Sequence, residues 1–270
     1  HFGEDVAGTG YIYVSYTASN DRDRLSRFTL TGDTIDANSE VVLMQGDQPT
    51  GIVHHGGEVT FGPDGKLYWS TGNNNGFENS QDLSNIYGKV MRLNPDGTAP
   101  DDNPFVNTPG VLPQIYAYGF RNAFRFSFTA NGKLLVGDVG EGTWEELNVI
   151  TPGGNYGWPA AEGNCSDCSF INPIYAYNHN GAGAAIQGVL VYTGDALGPE
   201  YKNKVFISDG VQDWIKVLTF DPEYSSFISE DMFDDSNTDN IVKLAQGPDG
   251  NIYQIGLLTG TISKIALSSG

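Results

Sequence analysis

The sequence predicts an all-β fold made of repeated small antiparallel sheets, and three observations support this. Glycine is abundant, 35 of 270 residues, as many tight turns require. Short alternating runs rich in Tyr, Phe, Val and Ile recur, and no stretch shows a convincing helical period. One strand–turn–strand unit also returns several times along the chain.

Taken in order, the first copy is loose: Gly8-Thr9-Gly10 leads into Tyr11-Ile12-Tyr13-Val14. The clearest copy is Phe61-Gly62-Pro63-Asp64-Gly65-Lys66-Leu67-Tyr68-Trp69. It returns over 128–136 around Asn131-Gly132, over 246–254 around Pro248-Asp249-Gly250, and more loosely over 201–207. Pro presets φ for the start of such a turn, and Gly supplies the positive φ that ends it. A further strand follows in which basic and apolar residues alternate, at 24–28, 88–93, 214–218 and 261–265. Alternation places the apolar residues on one sheet face. Sheets too small to bury a face alone stack radially, as the blades of a β-propeller. Five four-stranded, blade-like units are expected, at about 1–46, 52–113, 114–158, 184–232 and 240–267. They run end to end without a linker, so a single domain over 1–270 is expected.

The net charge is −19, from 33 acidic and 14 basic residues. Such a surface repels a polyanion, which argues against a nucleic-acid partner. Most of these charges serve solubility, although acidic loops also suit Ca²⁺. The two cysteines, Cys165 and Cys168, are too few for a structural zinc site and lack a βαβ context for redox chemistry. A local disulfide in an exported protein, periplasmic or secreted, is the reading favoured. Asn164-Cys165-Ser166 forms a glycosylation sequon, a short motif that often arises by chance. No apolar run approaches ~18 residues, so no membrane span is expected.

Several motifs in a fixed order resemble the soluble pyrroloquinoline-quinone (PQQ)-dependent aldose dehydrogenases, the glucose/sorbosone dehydrogenase family. They are His54-His55-Gly56-Gly57-Glu58, Gly88-Lys89-Val90-Met91-Arg92-Leu93, Asp102-Asn103-Pro104-Phe105, Tyr118-Gly119-Phe120-Arg121-Asn122, Gly137-Asp138-Val139-Gly140, Glu145-Glu146-Leu147-Asn148 and Gly154-Asn155-Tyr156-Gly157-Trp158-Pro159. The resemblance covers nearly the whole chain and is strongest from 54 to 159. It implies a six-bladed propeller that binds PQQ near its axis. This chain begins where the family's second blade begins: the first blade is lost, or lies outside this sequence, or the protein is a five-bladed relative, and the last is favoured because no strand is left over for a sixth.

The resemblance also implies chemistry: oxidation of aldose sugars to lactones by hydride transfer to the quinone, with a soluble electron acceptor. His54 matches the family's base, which takes the hydroxyl proton. Arg121 and Asn122 match the pair that contacts the quinone oxygens. Gly140 and Glu141 match the loop whose carbonyls hold the PQQ-bound Ca²⁺. Glu145, Glu146 and the Tyr156 carbonyl match a second, structural calcium site. Read without the resemblance, the same residues allow plainer roles. His54-His55 can be a hydrogen-bonded loop pair, Arg121 can stack on Phe120 or Phe124, and Glu145-Glu146 can be a solvated acidic edge.

Two departures bear on the cofactor. The family's glucose enzymes clamp the PQQ carboxylates with a Lys and two Arg from their last blades. Here the corresponding stretches, 208–213 and 238–242, contain neither residue. Lys243 is one position out of phase, which on a strand faces the other side. The Asp that commonly precedes the base is Val53. A tricarboxylate is poorly served by such a surface. Two other readings therefore stand beside the dehydrogenase: a cofactor-free propeller that binds glycan or protein, and a Ca²⁺-dependent lactonase or esterase using the same pocket.

Overall fold

A computed structural model of the 270-residue protein describes residues 2–3, 10–49, 51–236 and 239–265, with backbone alone at 2–3. Gly8 and Thr9 of the loosest repeat copy, Thr238 and the end of the last unit beyond 265 lie outside these residues. The first sheet contains β1 (Phe2–Gly3), β2 (Gly10–Thr17), β3 (Asp23–Thr31) and β4 (Thr34–Gln45). The second contains β5 (Val59–Phe61), β6 (Leu67–Ser70), β7 (Lys89–Leu93) and β8 (Ile115–Tyr118). The third contains β9 (Ala123–Phe128), β10 (Leu134–Asp138), β11 (Trp144–Val149) and β12 (Tyr175–Asn178). The fourth contains β13 (Ile186–Val191), β14 (Val205–Asp209), β15 (Trp214–Phe220) and β16 (Phe227–Asp234). The fifth contains β17 (Ile241–Gln246), β18 (Ile252–Gly256) and β19 (Ile262–Ile265).

Strands adjacent in sequence are adjacent in every sheet, in antiparallel ladders. This is the blade pattern of an all-β propeller fold, with four strands in four blades and three described strands in the fifth. Helix among the described residues is confined to two 3₁₀ turns, Phe77–Ser80 and Pro199–Tyr201.

The recurring turn is the same object each time. Gly65 N–H donates to the Gly62 carbonyl at 3.0 Å, and Gly62 N–H to that of Lys66 at 2.8 Å. The turns at Gly132 and Gly250 repeat both bonds, and the three glycines have φ of 72°, 83° and 77°. The Tyr68 hydroxyl then donates to Asp64 Oδ2 at 3.0 Å, and Tyr253 to Asp249 Oδ2 at 3.0 Å.

One boundary differs from the expected units. Ile115–Tyr118 is the last strand of the second blade, paired with Lys89–Leu93, and does not open the third. The third blade closes instead with Tyr175–Asn178. Alternation shows that a segment is a strand, but the partner is chosen by packing and by side-chain links such as those of Asn103. The Asn103 amide donates to the carbonyls of Arg92 and Pro113, both at 2.9 Å, and so ties β7 to the approach of β8.

The chain forms two compact units, residues 1–123 with 151–160 and residues 124–150 with 161–270. In the first, Tyr13 and Leu25 pack with Leu67, Trp69, Met91, Leu93 and Ile115. In the second, Leu135 and Leu147 pack with Ile186, Val189, Ile207 and Leu218. A neighbouring cluster joins Leu190, Phe206 and Val217 to Ile241, Leu244 and Ile252. Within each unit, neighbouring sheets thus bury together an apolar face that neither can bury alone.

Candidate active site and cation loop

In the first unit, the segment before β5 carries His54 in the left-handed region, φ 65°. Its ring is held from the loop after β6. His54 Nδ1 lies 2.8 Å from Asn73 Oδ1, and Asn73 is only 2% exposed. The same Oδ1 accepts the Asn75 backbone N–H at 3.1 Å, which identifies it as the oxygen. His54 Nδ1 must therefore donate, and Nε2 is the basic nitrogen of the neutral ring.

The backbone crosses closely here. A Cβ on Gly72 would lie 2.1 Å from the His54 carbonyl oxygen and 2.6 Å from Asn122 Oδ1, so only glycine fits. Asn122 Oδ1 accepts the Gly56 N–H at 3.0 Å, and Asn73 N–H donates to the Arg121 carbonyl at 2.8 Å. His54, Arg121 and Asn122 are thus brought together by a mesh of backbone and amide bonds. His55 turns away to Asp23, 3.3 Å from its Nδ1, and that bond raises the imidazole pKa against the pull of burial. The Arg121 guanidinium sits 5.5 Å from the ring centre of Trp158. Phe120 stacks on Tyr156 at 4.7 Å. The Trp158 indole N–H is buried without an acceptor among the described residues.

Because Asn73 is a neutral acceptor, exchanging it for a carboxylate isolates its effect on the ring. Asn73→Asp places a negative charge beside Nδ1, so the acid limb of a pH–rate profile is expected to move up by about one unit. An unmoved limb in steady-state kinetics would show that Asn73 does not govern the ring.

In the second unit, Gly140, Glu141, Glu145 and Glu146 lie on the turn into β11 and on that strand. Glu145 is wholly buried. Its Oε1 lies 2.7 Å from His179 Nε2 and accepts the Gly140 N–H at 3.2 Å, while its Oε2 accepts the Ile186 N–H at 2.8 Å. Glu146 points to the other face of the strand, where it accepts Asn148 Nδ2 at 3.1 Å and the Gly163 N–H at 2.6 Å. Neighbouring strand residues alternate faces, so these two carboxylates do not converge on one point. Neither forms a solvated edge, since both are buried. Tyr156 belongs to the first unit, where its hydroxyl accepts the Thr151 N–H at 2.9 Å. No group of three or more His, Cys, Asp or Glu side chains suited to a metal occurs among the described residues. Main-chain carbonyls such as those of Gly140 and Glu141 remain the candidate donors.

Burial pushes Glu145 up to about 8; the Ile186 N–H opposes this, while Asp209 and Asp138 add to it. The folded protein therefore holds this proton up to about pH 8, whereas the unfolded chain releases it near 4.5. Between these values the folded state binds more protons, so stability falls as pH rises. The contribution is complete below about pH 4.5 and is lost as pH rises through about 8. In chelator, thermal melts of Glu145→Gln should lose much of the wild-type decline across this window, and parallel declines would refute the assignment.

Within the stretch 208–213, Asp209 is buried and satisfied internally. It accepts the Tyr177 hydroxyl at 2.6 Å and the backbone N–H groups of Ala185, Val211 and Gln212. Arg92 donates to Asp102 at 2.7 Å and to Asp64 at 2.9 Å. Sequence reasoning missed Asn73, His179 and Glu162. Each acts across a turn or between strands, and none falls in a periodic pattern.

The family described as Glucose / Sorbosone dehydrogenase matches residues 2–259. Quinoprotein glucose dehydrogenase B of Acinetobacter calcoaceticus is 33% identical over 223 residues, 72% of this chain and 46% of that protein. Aldose sugar dehydrogenase YliI of Escherichia coli K12 is 27% identical over 268 residues, 92% of this chain and 71% of that protein. A solved PQQ-bound aldose sugar dehydrogenase from Streptomyces coelicolor superposes with a TM-score of 0.76 at 26% identity, covering 92% of this chain and 69% of that one. The chain thus spans somewhat under half the length of the Acinetobacter relative.

Proposed function

The chain belongs to the glucose/sorbosone dehydrogenase family, and from that premise we propose that it is an oxidoreductase that converts aldose sugars to lactones. PQQ is the bound oxidant in this reading, Ca²⁺ its metal, and an external acceptor takes the electrons onward. The observation that carries the reading is the buried Asn73 amide holding His54 with Nε2 basic.

The donor set of the first unit suits a planar, oxygen-rich anion. It offers the Arg121 guanidinium and a Trp158 indole N–H that has no acceptor among the described residues. Bound PQQ would supply a two-electron acceptor for the sugar. The protein's own part is acid–base and electrostatic. His54 Nε2 takes the proton of the anomeric hydroxyl, and Asn73 keeps Nδ1 protonated so that Nε2 can do so. Arg121 provides fixed positive charge for an oxygen that gains electron density. The Gly140 and Glu141 carbonyls are hard donors suited to Ca²⁺.

A second reading rests on the stretches 208–213 and 238–242, which lack Lys and Arg, and on Asp209, whose carboxylate is fully engaged. It makes the chain a cofactor-free module that binds glycan or protein. The Cys165–Cys168 disulfide fits the oxidising setting of a periplasmic or secreted protein. Among the described residues no helix is long and apolar enough to cross a membrane. The deciding experiment is reconstitution with PQQ and Ca²⁺, followed by aldose-dependent reduction of an artificial dye. Reduction that needs all three components supports the dehydrogenase. Quinone uptake without any dye reduction would refute it.

A further inference from the structure

Glu162 is committed in a way that neither the family motifs nor the base accounts for. Its Oε1 accepts four successive backbone N–H groups: Glu141 at 2.9 Å, Gly142 at 3.1 Å, Thr143 at 3.0 Å and Trp144 at 3.1 Å. N–H groups fanned onto one point form an anion nest, and here the chain fills its own nest with a carboxylate. The turn is tight as well. A Cβ on Gly140 would lie 1.8 Å from the Trp144 carbonyl oxygen and 2.8 Å from Glu162 Oε1. The next residue, Gly163, donates its N–H to Glu146 at 2.6 Å, so 162–163 grips both the turn and β11.

The nest fixes more than the N–H groups. In a trans peptide the N–H and C=O point to opposite sides. The N–H of Glu141 shares its peptide with the Gly140 carbonyl, and the N–H of Gly142 shares its peptide with the Glu141 carbonyl. Aiming both N–H groups at Glu162 therefore aims both carbonyls away from it. We propose that Glu162 is the positioning residue that sets the Gly140 and Glu141 carbonyls for Ca²⁺. This rests on the cation reading given above. Glu162 acts through the loop and does not itself touch the ion.

The test separates reach from charge. Glu162→Asp keeps the charge but is one methylene short, and Glu162→Gln keeps the reach without the charge. Two readouts are taken on the full chain: amide hydrogen exchange at 141–144 in chelator, and Ca²⁺ titration by calorimetry. Glu162→Asp should lose protection at these amides and weaken Ca²⁺ binding by about tenfold or more. Glu162→Gln should retain most of the protection and bind more tightly than Glu162→Asp. The reverse order of affinities would show simple charge attraction and overturn the proposal. So would unchanged exchange in Glu162→Asp. If the wild-type protein takes up no Ca²⁺, the cation reading itself fails and the proposal falls with it. If the wild type and Glu162→Asp bind alike, only the positioning role fails.

Discussion

His54→Asn is expected to lower kcat for aldose oxidation by about 10²–10⁴-fold, the usual worth of a positioned general base, with little change in KM. Asn is the informative replacement because His54 has φ 65°. Among side chains other than glycine, Asn tolerates the left-handed region well, so the Gly56–Gly72 crossing should survive. A loss of rate with an unchanged melting temperature places His54 in the chemistry. A variant with wild-type kcat removes it from that role. A fall in melting temperature parallel to the fall in rate points to the hydrogen-bonded loop pair instead.

Lys89→Met is expected to destabilise the protein by about 1–3 kcal/mol, the cost of leaving buried acceptors without their donor. Lys89 is wholly buried, and its ammonium donates to the carbonyls of Asn79 at 2.8 Å, Ser80 at 3.2 Å and Tyr87. Burial pulls its pKa down to about 7, against the attraction of Asp82. Met keeps the length and the packing but leaves those three carbonyls without this donor. The cost falls on the 79–87 segment, where Ser80 Oγ also donates to the Phe120 carbonyl at 2.6 Å. Urea unfolding measures the loss, and a change under about 1 kcal/mol would mean that water replaces the ammonium.

Lys89 also shows what a sequence can and cannot tell. The turn glycines at 65, 132 and 250 and the flanking alternation made the sheets legible, because both signals are local. Strict alternation over 89–93 puts Lys89 and Arg92, three positions apart, on opposite faces of the strand, each beside apolar residues. In fact all of β7 is buried. Both cations are covered by loops, with Asn79, Ser80 and Tyr87 over Lys89, and Asp64, Asp102 and Asn103 around Arg92. Ile115–Tyr118 reads correctly as a strand but pairs backward with β7, since pairing depends on packing that alternation does not encode. Within the candidate site, His54, Arg121 and Asn122 stand out as motif residues. Asn73 lies in the run Asn73-Asn74-Asn75-Gly76, which reads as an ordinary loop. Glu162 meets its turn from about twenty positions away, and no local pattern marks such a meeting.

Uptake of PQQ by the apoprotein, read as quinone absorbance retained after desalting with and without Ca²⁺, bears most directly on the dehydrogenase reading. Arg121 is the one cation matched to the cofactor, so retention is expected to depend on the metal. Stoichiometric absorbance should persist with Ca²⁺ and be lost in chelator. A protein that retains no quinone under either condition would contradict the reading and leave a glycan- or protein-binding module in its place.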